Sequence, residues 1–98
     1  MGTSRFDWDV EKNKKLILER NISFEEIIVL MEQDKLLDII ENPSPLYKHQ
    51  QIFVVDVNGY VHLVPFVINK GIYFLKTIFP SRKKKKEYLS GGSDDQTG

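Results

Sequence analysis

From residue 51 onward, apolar runs alternate with turn residues: "QIFVVDV", Asn58-Gly59, "YVHLVPFVI", Asn69-Lys70-Gly71, "IYFLKTIF". Asn-Gly between two β-rich runs is a specific hairpin signal, because a type I′ turn needs positive φ at both central residues. The pattern predicts an antiparallel meander with strands over 51 to 57, 60 to 68 and 72 to 79. Pro65 lacks a ladder donor, so a bulge or bend is expected in the middle strand. A two-residue first turn and a three-residue second turn place Val55 opposite His62, Val64 opposite Lys76 and His62 opposite Ile78, all on one surface. The other surface then carries Ile52, Val54, Val61, Leu63, Val67, Leu75 and Phe79, which is apolar enough to receive helices.

Upstream the period is helical. Asp9 is an N-cap with Glu11 at the positive end of the dipole, which predicts a helix over 10 to 20. In "NISFEEIIVLMEQ", Ser23 and Glu26 form a capping box, and Ile22 and Ile27 occupy the positions of a hydrophobic staple. A second helix over 24 to 33 follows. "KLLDIIENPSP" reads as a short edge strand stopped by Pro43 and Pro45. Past the meander, Pro80 and Ser81 punctuate the start of a short last helix beginning at Arg82. The fold class is α+β: two N-terminal helices on one face of a small antiparallel sheet, with the other face partly open. Residues 1 to 89 make one domain. Residues 90 to 98, Ser90 followed by "GGSDDQTG", read as a disordered tail, and "MGTS" at the start carries no function.

Composition narrows the chemistry. The chain has 98 residues, no cysteine and two histidines, His49 and His62, which excludes disulfides and thiolate metal sites. No metal or cofactor is expected. No run approaches the roughly 20 apolar residues of a membrane span, so the expected protein is soluble and cytoplasmic, with no membrane partner. The formal net charge of zero hides segregation: residues 1 to 68 carry 7 Lys/Arg against 11 Asp/Glu, and residues 69 to 88 carry 7 against 1. Most of that excess is Arg82, Lys83, Lys84, Lys85 and Lys86. Cations in a first helical turn oppose the macrodipole at about 0.3 to 1 kcal/mol each, a cost that a bound phosphate would offset. The alternative is a solvated terminal helix with no ligand.

In order along the chain, "FDWDVEK", "ISFEE", a three-stranded meander and "SRKKKKEY" resemble the BrnT family of bacterial toxins, which are similar in fold to RelE-type ribonucleases. Phe6, Trp8, Asp9 and Lys12, then Ser23 to Glu26, and Arg82-Lys83 at the last helix carry the resemblance. It implies a RelE-like fold and a toxin of a type II toxin–antitoxin system. It also implies metal-independent endoribonuclease activity, association with the ribosome, and neutralisation by a cognate ribbon-helix-helix antitoxin. Such cleavage needs a base for the 2′-hydroxyl, cations for the phosphate and an acid for the leaving oxygen. The candidates are His62 or His49 as titrating groups, Arg82 and Lys76 as phosphate clamps, and Tyr88 as proton donor or base-stacking ring; Lys83 to Lys86 are candidates for holding RNA. Each has a structural alternative: a packed strand histidine, a turn histidine, a snorkelling lysine, a tyrosine that anchors the last helix. A non-catalytic module that binds an acidic partner or nucleic acid through the basic patch, including a degenerate toxin that only binds antitoxin, is the second functional class.

Overall fold

The computed structural model describes residues 5–89; the tail expected over 90–98 and the first four residues lie outside that range. The elements are β1 (Phe6–Trp8), α1 (Val10–Arg20), α2 (Phe24–Glu32), β2 (Leu36–Glu41), β3 (Gln51–Val57), β4 (Tyr60–Asn69), β5 (Ile72–Leu75), β6 (Phe79–Pro80) and α3 (Arg82–Tyr88). The fold is α+β, as expected. Among the described residues no helix is long and apolar enough to cross a membrane.

Both N-terminal helices begin where their caps predict. Asp9 accepts from the Glu11 N–H at 2.9 Å and Ser23 from the Glu26 N–H at 3.0 Å, each satisfying a donor that the helix itself leaves unpaired. The sheet order is β1-β5-β4-β3-β2, with β6 pairing β4. It is mixed rather than purely antiparallel, because "FDW" adds a parallel edge strand against β5. Three residues are too few to show a period. Phe6 and Trp8 instead gain their place by pairing with Tyr73 and Leu75.

The first hairpin has the expected register, Val55 opposite His62. The second does not. Asn69 pairs with Ile72, so the turn is two residues, Lys70 and Gly71, both at positive φ (54° and 81°). Phe66 consequently faces Leu75, and β5 stops there, short of the expected Phe79. The Lys76 N–H donates to the Pro65 carbonyl at 2.8 Å, but Pro65 has no N–H to return the bond. The ladder lapses over 76–78 and resumes one residue out of step, with Leu63 opposite Phe79 and His62 opposite Pro80. The expected irregularity at Pro65 thus falls on its partner strand.

The face assignment is reversed for β3 and β4, while Leu75 of β5 meets the helices as expected. Phe53, Val55, Val57, Val64 and Phe66, not Ile52 and Val54, lie under Leu16 of α1 and Phe24 and Ile27 of α2. Alternation did not decide this because β3 is apolar on both sides, with Ile52 to Val55 all buried. Aromatic volume decides it: Phe53 stacks on Phe66 with centroids 3.9 Å apart, Phe6 and Tyr73 flank them, and Trp8 stacks on Phe24.

One buried polar side chain joins the helices. Asn13 of α1 accepts from the Phe24 N–H at 2.8 Å and donates to Glu25 at 2.8 Å. Asn13→Leu leaves a buried N–H unpaired, which costs about 1–3 kcal/mol. The expected result is a lower urea midpoint with unchanged slope; an unchanged midpoint would mean that apolar packing alone holds α2 to α1.

Candidate nucleic-acid interface

Helix α3 lies on the second face of the sheet, opposite α1 and α2. The Ser81 N–H donates to the Val61 carbonyl at 3.0 Å, and the Ser81 hydroxyl accepts from the Lys84 N–H at 3.1 Å, which starts the helix as predicted. Tyr88 and Leu89 then pack with Phe79, Leu37 and Ile40 over Ile52, Val54, Val61 and Leu63. The Tyr88 hydroxyl donates to an Asp38 carboxylate oxygen of β2 at 2.7 Å. The basic run is therefore fixed at both ends.

Its cations are in different situations. Arg82, Lys83 and Lys86 are exposed. Lys84 pairs with Glu87 at 3.1 Å, and the Lys85 ammonium sits 5.6 Å from the centroid of the Tyr60 ring. Lys85 and Lys86 fall in the last turn, where cations are favoured, so only the first-turn charges oppose the dipole.

The predicted catalytic set does not converge. His62 is half-buried on the face of Val55 and Val64, its Nδ1 3.2 Å from the Tyr60 carbonyl and its ring edge-on to that of Tyr60. Lys76 was expected beside His62; the shortened turn places it on the other face, exposed, with its ammonium 5.2 Å from the Phe74 centroid. His49 is exposed in the turn after a 3-10 segment, Pro45–Tyr47. Arg82 follows two residues after Pro80, the partner of His62, so these two are the only pair of the set that register ties together. Tyr88 is an anchor: its hydrogen bond to Asp38, then burial and nearby negative charge, push its hydroxyl up to about 12. A phenol so held is a poor proton donor at neutral pH.

No local pattern announces a groove of about 620 Å³ on the second face. Ile52, Leu63, Pro65 and Phe79 form its apolar floor, and Lys12, Tyr47, Gln50, Lys76 and Thr77 its polar lining. Lys12 of α1 reaches it beside Lys76 and Thr77, the residues where β5 has stopped. Nothing local links positions 12, 47 and 76, although Lys12 belongs to the "FDWDVEK" stretch. A second groove, about 450 Å³ beside α2, is lined by Ile28, Met31, Leu36, Ile39 and Phe53 and holds none of the predicted site residues. Comparisons of the chain with family models, with curated proteins and with solved structures give no match.

The Tyr88–Asp38 bond gives a signed pH dependence. Tyr88 is raised from 10.0, so its share of the stability is full below pH 10 and is lost as pH rises through about 12. Asp38 is lowered, first by the Tyr88 hydroxyl and then by the Ile39 N–H, so its share is present above 3.8 and lost as pH falls through the lowered value. Tyr88→Phe should therefore melt lower than wild type by a constant margin between about pH 5 and 9, and the margin should shrink in acid. A margin independent of pH down to full protonation of carboxylates would separate Tyr88 from Asp38.

Proposed function

We propose that the protein is an RNA-directed toxin of the BrnT type, a metal-independent endoribonuclease held inactive by a ribbon-helix-helix antitoxin. The observation that carries the RNA part is α3 itself. Arg82, Lys83 and Lys86 project from a helix that apolar packing and the Tyr88 hydrogen bond fix to the sheet, and among the described residues none of the three has an acidic partner within ion-pair distance. Rigidly held, uncompensated cations suit a polyanion, whose counterions they release on binding. The motif order over residues 6 to 88 supplies the toxin part. Within this reading Arg82 clamps the phosphate, and His62 or His49 moves protons; Tyr88 and Lys76 leave the catalytic set. Association with the ribosome would bring the same helix against structured RNA.

A second reading is favoured by the scatter of the predicted groups: a module that binds RNA or an acidic partner through α3 without cleaving it. Changing Lys83, Lys84, Lys85 and Lys86 together to Gln should weaken RNA binding under either reading. It should flatten the dependence of log K on log salt by about 1.4 for the unpaired Lys83 and Lys86, and by at most about 3 if Lys84 and Lys85 also leave Glu87 and Tyr60 for phosphates, since each neutralised phosphate contributes about 0.7 for a single strand. Arg82→Ala separates them. Loss of one transition-state contact lowers cleavage by roughly a hundred- to thousand-fold, and Arg82→Lys should fall between, because Lys lacks the planar two-pronged grip. The assay is cleavage of bulk RNA in EDTA, with and without ribosomes. Equal cleavage by wild type and Arg82→Ala removes the clamp, and no cleavage by wild type leaves the binding module.

A further inference from the structure

The second-face groove has a lining of one chemical character. Its ionisable members are Lys12, Lys76 and Tyr47, with no Asp or Glu among them. Among the described residues neither lysine is in an ion pair. The amide oxygens at its edge are already used: Asn42 Oδ1 accepts from the Ser44 N–H at 3.0 Å, and Gln50 Oε1 accepts from Asn42 Nδ2 at 3.2 Å. With its Oε1 engaged, Gln50 has its side-chain N–H groups left as donors in the same lining as the Thr77 hydroxyl. The result is an apolar floor, a rim of donors, two ammonium groups and the half-exposed Tyr47 ring.

Such a site fits a planar, acceptor-rich body that carries an anion. A nucleotide has that composition: a base with a π-face for Tyr47 and the floor, acceptors for Gln50, and a phosphate for the lysines. Two ammonium groups in one lining repel each other until an anion joins them. Position names the source. Ile52 and Leu63 of the groove floor belong to the apolar cluster against which Phe79, Tyr88 and Leu89 pack, so the groove and the basic helix share one face of the sheet. We infer that the groove receives one unstacked nucleotide of a single-stranded RNA, its base against Tyr47 and its phosphate between Lys12 and Lys76. Duplex RNA does not present a free base face, so the strand must be single. The inference rests on the RNA reading for the source of the nucleotide, not for the site.

The test is a backbone-amide NMR titration of the full chain with a nucleoside 5′-monophosphate, the matching nucleoside, inorganic phosphate, and an eight-nucleotide single-stranded RNA. The monophosphate should shift the amides of Tyr47, Gln50, Lys76 and Thr77 and bind about tenfold more tightly than nucleoside or phosphate alone. Tyr47→Ala and Lys76→Gln, both at exposed positions and checked for an unchanged melting temperature, should each weaken it by about fivefold or more. Changing Lys83 to Lys86 to Gln should weaken the oligonucleotide and spare the monophosphate. Monophosphate binding without oligonucleotide binding would overturn the RNA reading and keep the site. Oligonucleotide binding with no shifts in the groove would overturn the site and keep the RNA reading. Inorganic phosphate binding as tightly as the monophosphate, or an acidic peptide displacing the monophosphate equally well, would also overturn the assignment.

Discussion

Strand β3 is buried on both faces, Ile52 and Val54 on one and Phe53 and Val55 on the other, and the rest of the molecule is arranged to cover it. Each such side chain contributes about 1.5–3 kcal/mol only if water is kept from it. One face takes α1 and α2. The other needs a cover too, and α3 supplies part of it. At seven residues α3 is too short to be stable in water alone, and the cations of its first turn oppose its dipole. It is a helix because Tyr88 and Leu89 close the apolar patch of Ile52, Val54, Val61 and Leu63. The charge run and the core are thus one problem: the residues that complete the second face also hold five cations still against it.

Pro65 controls where that face opens. Its missing N–H ends the β4–β5 ladder, and the one-residue step that follows brings Phe79 to the second face and Pro80 to the first. Arg20 of α1 ties down the lapse by donating to the Ile78 carbonyl. The interval over 76–78 is therefore an ordered discontinuity, and the groove with Lys12, Lys76 and Thr77 in its lining lies against it. A residue that could return the hydrogen bond at position 65 would let the strand continue and would turn Lys76 and Thr77 into ladder residues.

What was legible in the sequence was local. Asp9, Ser23 and Ser81 announce their helices because a cap acts within three residues of itself, and Asn58-Gly59 announces its turn for the same reason. Local pattern misleads where the deciding partner is distant. Lys70 adopts positive φ although its type disfavours it, because pairing of Asn69 with Ile72 extends the ladder; that single residue moved Lys76 to the other face. The face that meets the helices is set by aromatic stacking among Phe6, Phe53, Phe66 and Tyr73, which alternation does not record. Of the candidate site, the basic helix and its start were readable; Lys12 and Tyr47 were not, since they join Lys76 only through the fold.

Charge segregation along the chain becomes segregation in space. Helix α2 carries Glu25, Glu26 and Glu32 and no cation, on the first face; α3 carries Arg82 to Lys86 with only Glu87, on the second. Layers packed on a sheet stand about 10 Å from it on each side. The Debye length at physiological salt is about 8 Å, so the acidic helix does not cancel the field of the basic one across that distance. The first face is nearly balanced, because Lys12, Lys14, Lys15 and Arg20 of α1 stand against the glutamates of α1 and α2, so a polyanion approaching from solution is drawn to the second face although the whole chain is formally neutral. The neutral total therefore does not exclude a polyanionic ligand: on the proposed RNA reading, the face that α3 completes, and that Pro65 leaves open, is the one that would meet it.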